Sequence, residues 1–225
     1  MKICVTSDLH GNLPTIEECE MLLICGDILP LKIQMNHRKS KKWLLNEFKE
    51  WIKSQPVKQT VFIAGNHDFY CESHEEDMKN LFNSEIKYLC NSHYDYISDE
   101  GKVYRIFGTP YCKQFGLWAF MRDDDTLESY YRVMPGNCDI VISHDAPRLN
   151  ELGCIRAEGS RWYGTDAGNE VLAKAILSAK PKYAFCGHIH SGQHEVQNIQ
   201  GVNMANVSLV DETYTANYKP LYLNI

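Results

Sequence analysis

The sequence lacks any paired cysteine motif, although it is not poor in cysteine. The 225 residues include nine cysteines and no C-x-x-C pair. An odd number of cysteines without such pairs argues against a disulfide framework and against a zinc ribbon. Several of them, among them Cys4, Cys25 and Cys186, lie within apolar runs, where cysteine acts as a small core residue in a reducing compartment. The pattern favours a cytoplasmic protein.

Long apolar runs, linkers and repeats are also missing. No stretch of about 18 apolar residues is present, so the sequence predicts no membrane span. The first polar motif, at Asp8, comes too early for the apolar segment of a signal peptide. Without a linker rich in proline or serine and without an internal repeat, we expect a single domain over residues 1–225.

Basic residues are fewer than acidic residues in this sequence. Lys and Arg number 23 against 29 Asp and Glu, which gives a formal net charge of −6. A phosphate-bearing partner meets a repulsive field and has to be captured by a local feature. The dense basic run of Arg38, Lys39, Lys41 and Lys42, just ahead of a predicted helix, is interpreted as a solvated face. We therefore expect no stable complex with nucleic acid.

The hydrophobic pattern predicts a mixed α/β protein. Amphipathic spacing predicts helices over Leu44 to Ile52, after a capping box of Ser73 and Glu76, and over Val171 to Ile176. Short apolar runs predict buried strands at Lys2 to Ser7, Met21 to Cys25, Thr60 to Ala64, Val103 to Gly108, Asp139 to Ser143 and Tyr183 to Cys186. Further strand-like runs at Gly201 to Val210 and Leu221 to Ile225 indicate an antiparallel finish.

Polar side chains with metal-ligating atoms follow most of these strands directly. They are Asp8, His10, Asp27, Asn66, His144, His188 and His190. Taken singly, each has an ordinary reading as a turn, a helix cap or a surface histidine. Taken together, oxygen and imidazole ligands at strand ends indicate one crevice holding two cations, provided that His188 and His190 alternate along an extended segment. Such a pair generates hydroxide at neutral pH and binds the oxygens of an in-line displacement at phosphorus.

The ordered blocks SDLH, GD, GNHD, SHD and GHIH resemble those of the calcineurin-like metallophosphoesterase superfamily. The short connection from Gly11 to Glu20 and the segment from Val202 to Ser208 are most similar to the MPPED-type phosphodiesterase branch. This resemblance implies a four-layer α/β/β/α sandwich, in which two mixed sheets are flanked by helices.

The resemblance also implies roles for individual residues. One metal would be held by Asp8, His10, Asp27 and His190, and the second by Asp27, Asn66, His144 and His188, with Asp27 as the bridge. Mn²⁺ is the favoured cation, and Fe, Zn, Co or Ni are the alternatives. A bridging hydroxide would attack phosphorus, and His67 would protonate the leaving oxygen as general acid. The alternative for His67 is a hydrogen-bonding partner of Asn66.

The sequence departs from one superfamily pattern. The phosphoprotein phosphatases carry GDxxDRG, whereas Gly26 to Leu31 here read GDILPL, which disfavours protein-phosphatase activity. We therefore expect a phosphodiesterase acting on small cyclic or linear nucleotides. Phosphomonoesterase, single-strand nuclease and catalytically weak scaffold functions are the alternatives, and the oligomeric state is open.

Substrate-binding groups are less clearly marked. Asn12 is predicted to donate to a phosphate oxygen, or else to shape the turn at Gly11. Arg148 is a predicted cationic contact, and Lys113, Arg156 and Arg161 are further candidates; ordinary surface charge is the alternative for each. The aromatic segment of Tyr111, Phe115, Trp118 and Phe120 fits either a packed loop, which is favoured, or a platform for a nucleobase.

Overall fold

The computed structural model of the chain describes residues 1–82 and 85–225. Its strands are β1 (Lys2–Thr6), β2 (Cys19–Cys25), β3 (Val57–Ile63), β4 (Ile86–Tyr88), β5 (Ser92–Ile97), β6 (Val103–Thr109), β7 (Cys112–Lys113), β8 (Met121–Arg122), β9 (Ile140–Ser143), β10 (Tyr183–Cys186), β11 (Gln197–Ile199), β12 (Val202–Asn206) and β13 (Leu221–Asn224). Its helices are α1 (His37–Trp43), α2 (Lys49–Ser54), α3 (Phe69–Ser73), α4 (Glu75–Leu81), α5 (Asp124–Tyr131) and α6 (Glu170–Ala179), and a π-helical turn, Leu44–Phe48, joins α1 to α2.

Two mixed sheets form the centre of the fold. The first has the strand order β13-β1-β2-β3-β4, in which only β13 runs antiparallel to its neighbour. The second has the order β11-β12-β10-β9-β6-β5, with a parallel centre and an antiparallel strand at each edge. The antiparallel finish predicted for the last run is confirmed, but β12 is antiparallel only to β11.

Side-chain alternation along the strands builds four layers. In β1, Ile3 and Val5 point into the core between the two sheets, while Cys4 points to the opposite face. Helices α1 to α4 cover the outer face of the first sheet, and α5 and α6 cover the outer face of the second. The predicted α/β/β/α sandwich is therefore confirmed.

The helices differ from the sequence prediction in two details. The basic run lies within α1 and not before it, and Ser73 is not a cap because it is itself the last residue of α3. Its hydroxyl donates to the Phe69 carbonyl at 2.9 Å, and α4 begins without a side-chain cap. The predicted capping box is wrong because the chain is already helical before it.

Parallel strands bring the ligand-bearing loops to one edge of each sheet. Strands β1, β2 and β3 end beside one another in the first sheet, and β9 and β10 end beside one another in the second. The sheets join at this edge, where the Leu209 N–H donates to the Ser7 carbonyl at 2.9 Å. Among the described residues, no helix is both long enough and apolar enough to cross a membrane.

Candidate metal centre

Four of the predicted ligands gather around two others, the buried carboxylates of Asp8 and Asp27. Asp27 Oδ2 lies 3.6 Å from His10 Nε2 and 3.4 Å from His144 Nε2. Asp8 Oδ1 lies 3.5 Å from His190 Nε2, and Asn66 Oδ1 lies 2.9 Å from His144 Nε2. Asp8, His10 and His190 form one potential cation site, and Asp8, Asp27 and His144 form a second. Side chains separated by up to 182 positions in the sequence thus meet at one place.

His188 and His190 reach this place by a route that the sequence analysis did not predict. The segment after β10 is a turn, in which the Ile189 N–H donates to the Gly187 carbonyl at 2.8 Å and His188 has a φ of 68°. The predicted extended geometry is therefore wrong. Because of this turn, the His190 ring lies 5.5 Å from that of His10, whereas the His188 ring lies 5.1 Å from that of His144.

The backbone is left-handed at four of the predicted ligands. The φ angles are 53° at Asp8, 43° at His10, 51° at Asp27 and 68° at His188. This region costs a residue with a side chain on the order of 1 kcal/mol, although Asp and His tolerate it better than most. Backbone bonds fix two of these residues, since the Asp8 N–H donates to Gly26 at 3.0 Å and the His10 N–H donates to Asp27 at 2.8 Å.

Glycine in the GD and GHIH blocks allows the loops to approach one another. Gly26 has a φ of 100°, and a Cβ there would lie 2.6 Å from His144 Nδ1. A Cβ on Gly187 would overlap the side chains of Ser7 and Asp8. The glycines next to the ligands are therefore required by the packing of the ligand loops themselves.

Carbonyl oxygens orient the imidazoles of His144 and His190. A carbonyl only accepts, so Nδ1 of His144 donates to Cys25 at 2.9 Å and Nδ1 of His190 donates to Asp211 at 2.9 Å. Each ring therefore faces the carboxylates with its Nε2 atom, which is the usual orientation of a metal-ligating histidine. The Ser208 hydroxyl also donates to Asp8 Oδ2 at 2.7 Å.

Asp68 joins the GD and GNHD loops through hydrogen bonds to backbone N–H groups. Its buried carboxylate accepts from the N–H groups of Ile28 at 3.2 Å, Leu29 at 2.9 Å and Gly65 at 2.8 Å. Burial, together with the nearby charge of Asp27, raises the pKa of Asp68 to about 7. The sequence shows Asp68 within its motif but gives no indication that it organises both loops.

The electrostatics of the cluster fit a cation. Burial opposes ionisation of Asp8 and Asp27, but the adjacent histidines outweigh it and hold the pKa of both carboxyls below the ordinary range. Burial lowers the pKa of His10 to about 4, which leaves this ring neutral. Among the residues that the structure describes, both ring nitrogens of His10 are buried without a hydrogen-bond partner. A neutral, unpartnered imidazole beside two carboxylates has the donor chemistry of a divalent-cation site.

His67 lies beside this cluster, held by a residue that the sequence analysis missed. Its Nδ1 is 2.6 Å from Gln34 Oε1, and because an amide oxygen only accepts, Nδ1 is the donor. Its backbone N–H donates to Asp27 Oδ1 at 2.8 Å, and its Nε2 lies 4.0 Å from Asp27 Oδ2. Burial lowers the pKa of His67. Gln34 lies in the loop between β2 and α1, and no sequence motif marks it.

The two predicted substrate contacts have other partners in the structure. Arg148 Nη1 donates to Glu170 at 2.5 Å, and its Nε lies 3.6 Å from Asp166. Asn12 Nδ2 donates to the Leu9 carbonyl at 2.8 Å. This bond shapes the turn at Gly11, which was the alternative prediction for Asn12. Their contact with a substrate stays a prediction.

A buried thiol lies closer to the candidate centre than the sequence indicated. Ligand atoms of Cys112, His144 and His188 lie within 4.8 Å of one another. Burial raises the pKa of Cys112 well above that of an ordinary thiol, and its Sγ lies 3.4 Å from the Pro110 carbonyl. The sequence analysis argued only against a zinc ribbon and assigned no role to Cys112.

Two sheets packed face to face, with carboxylate, amide and imidazole groups gathered beyond their parallel strand ends, define a metallohydrolase. The chain belongs to the calcineurin-like phosphoesterase family, whose model matches residues 1–192. That family depends on a dinuclear metal centre and consists of phosphoester hydrolases.

The chain is also similar to individual proteins and to solved structures. The chain is 24% identical over 250 residues to human metallophosphoesterase domain-containing protein 1, covering 97% of this chain and 68% of that protein. It is 25% identical over 201 residues to probable rhamnogalacturonate lyase C of Emericella nidulans; this covers 84% of the chain but only 17% of the fungal protein's length. The crystal structure of TT1561 from Thermus thermophilus has the same fold, with a TM-score of 0.63 at 12% identity over 91% of this chain and 88% of that one.

Proposed function

We propose that the chain is a phosphodiesterase that hydrolyses small nucleotide phosphodiesters, cyclic or linear, with two divalent cations. The observation that carries this proposal is the state of His10, a buried imidazole with two unpartnered nitrogens and with Nε2 3.6 Å from Asp27 Oδ2. A buried polar group without a partner is costly, and a cation removes that cost.

In this proposal the seven side chains form two sets that share Asp27, as the family resemblance implies. Asp8, His10 and His190 complete one set, and Asn66, His144 and His188 complete the other. Two cations bound there would supply a hydroxide nucleophile at neutral pH and neutralise charge on the phosphate oxygens. Mn²⁺ is the metal we favour. The chain itself holds Asp8 and Asp27 ionised and directs the Nε2 atoms of His144 and His190 toward them.

His67 is the proposed general acid. Its Nδ1 donates to Gln34, so Nε2 is the atom that carries a transferable proton toward the leaving oxygen. Burial lowers its pKa, which makes the protonated ring a stronger acid. A positioned proton donor of this kind contributes about 10²–10⁴-fold to the rate.

The surroundings of His67 favour a diester over a monoester. Beside the Asp27 carboxylate, His67 contacts the uncharged side chains of Gln34, Trp118 and Tyr214. A phosphomonoester carries close to two negative charges at neutral pH, and its recognition depends on cationic side chains such as arginine. A diester carries one charge and two organic groups, which suit a neutral, apolar border.

The test combines metal analysis with a substrate screen. The protein is loaded with Mn²⁺, dialysed and analysed for metal, and its rates are measured on bis(p-nitrophenyl) phosphate, p-nitrophenyl phosphate and the 2′,3′- and 3′,5′-cyclic nucleotides. We expect two cations per chain and a higher kcat/KM on the diesters. Fewer than two cations, or a higher kcat/KM on the monoester, would contradict the proposal.

A further inference from the structure

The aromatic segment from Tyr111 to Phe120, which includes β7 and ends just before β8, separates into buried and exposed members. Phe120 is 2% exposed, and its ring packs 5.6 Å from that of Tyr111. Phe115 and Trp118 are 66% and 37% exposed, and Leu117 between them is 94% exposed. The prediction of a packed loop is therefore confirmed for Tyr111 and Phe120 but is wrong for Phe115 and Trp118.

The exposed rings lie against the two halves of the candidate metal centre. The Trp118 ring is 4.5 Å from the His67 ring, and the Phe115 ring is 5.5 Å from the His188 ring. On another loop, the Tyr214 ring lies 4.8 Å from the His10 ring. Aromatic surface thus borders the general acid and a predicted ligand of each cation.

Hydrogen bonds to the site's own motifs hold the segment in place. The Ala119 N–H donates to the Asn66 carbonyl at 3.1 Å, and the Lys113 N–H donates to Asp145 Oδ2 at 2.8 Å. The Phe120 N–H donates to Glu72 at 2.9 Å. Because both ends of the segment are fixed beside predicted ligands, the exposed rings have a defined position relative to the reacting phosphate.

Trp118 and Phe115 carry no charge, so they add nothing to the attraction of the phosphate. Their faces instead offer flat, apolar area, and stacking on an aromatic side chain is a binding mode that every nucleobase can use. While these rings are exposed to solvent, their apolar surface contributes no free energy of burial. A ligand stacked on them would bury that surface and gain this free energy.

We propose that Trp118 and Phe115 form the specificity-determining surface of the enzyme and bind the nucleobase of a nucleotide ester. This inference rests on the proposed function, because it concerns the organic group of the same phosphodiester. Trp118 lies at the His67 side, where the leaving group departs, and Phe115 lies at the His188 side. Phosphate recognition and base recognition are therefore carried by different residues.

The kinetic test compares two substrates that share a leaving group. With Mn²⁺-loaded protein, kcat/KM is measured for thymidine 5′-(p-nitrophenyl phosphate) and for ethyl p-nitrophenyl phosphate. We expect Trp118→Leu to lower the ratio of the two kcat/KM values by about tenfold, mainly through KM for the thymidine ester. Trp162→Leu removes a comparably exposed tryptophan, 53% exposed, outside the segment and should leave the ratio unchanged.

A binding measurement provides a readout that does not depend on turnover. Titration of the Mn²⁺-loaded protein with thymidine 5′-monophosphate should quench the fluorescence of Trp118, and ribose 5-phosphate should not. Phe115→Leu serves as a second variant if Trp118→Leu does not fold by circular dichroism, and it should also lower the kinetic ratio. Turnover of both esters with a ratio unaffected by either variant would overturn this inference alone. If neither ester is hydrolysed, the proposed function itself fails.

Discussion

Replacement of Asp27 by asparagine tests the arrangement of the whole centre. Asp27 Oδ2 lies 3.6 Å from His10 Nε2 and 3.4 Å from His144 Nε2, so one carboxylate serves both proposed cation sites. An amide at this position keeps the shape of the side chain but removes the charge that both cations share. We expect each cation to bind at least about 100-fold more weakly, since even an outer hydrogen-bonding partner of a metal ligand is worth 10–100-fold.

The thermal effect of this change is large enough to measure. A cation at 100 times its dissociation constant stabilises the folded state by about 2.7 kcal/mol, so two cations contribute about 5 kcal/mol. In a chain of this length each kcal/mol raises Tm by roughly 2–4 °C, and saturating Mn²⁺ should raise the Tm of the unsubstituted protein by roughly 10–20 °C. At the same Mn²⁺ concentration, Asp27→Asn should lose most of this rise.

The assay is a thermal melt with and without Mn²⁺, accompanied by metal analysis after dialysis. Asp95→Asn is the matched control, because Asp95 lies on β5 and pairs with Arg105 away from the predicted ligands. It should keep the full Mn²⁺-dependent rise. If Asp27→Asn retained two cations per chain and the full rise in Tm, the bridging role of Asp27 would be refuted.

Three further predictions concern residues around the centre. His67→Ala should keep the metal content while lowering kcat about 10²–10⁴-fold for esters with poor leaving groups and less for p-nitrophenyl esters; an equal loss on both would exclude a general acid. Gln34→Glu places a negative charge beside the imidazolium and raises the pKa of His67, so the basic limb of the pH–rate profile should move to higher pH, whereas Gln200→Glu at an exposed turn should not move it. Asp68→Ala leaves three buried N–H groups without an acceptor and should lower the free energy of unfolding by about 3 kcal/mol or more, measured by urea denaturation; a loss below about 1 kcal/mol would show that water replaces the carboxylate.

The seven candidate ligands could be predicted from the sequence because their signal is local. Each lies within four residues after the end of an apolar strand, and parallel strands that share a sheet end at a common edge. Short apolar runs likewise predicted the central strands. These are features in which sequence neighbours and spatial neighbours coincide.

Other features depend on contacts between distant segments and leave no local pattern. Strand β5, with the sequence SHYDYI, was missed because it is an edge strand with a polar, partly exposed pattern. The turn that directs His188 and His190 to different sides depends on a left-handed residue, which spacing alone does not reveal. Gln34 reaches His67 across 33 positions, and Tyr214 reaches His10 across the whole fold. Such pairings follow from packing and not from periodicity.

The left-handed backbone at Asp8, His10, Asp27 and His188 has a consequence for how this enzyme can change. The left-handed conformation at these four positions lowers the free energy of unfolding, and the net stability of a folded domain is only several kcal/mol. A descendant that no longer needed catalysis could recover part of that energy by substituting glycine at any of them. Aspartate and histidine at these positions therefore hold the candidate ligand atoms in place at a cost in folding stability.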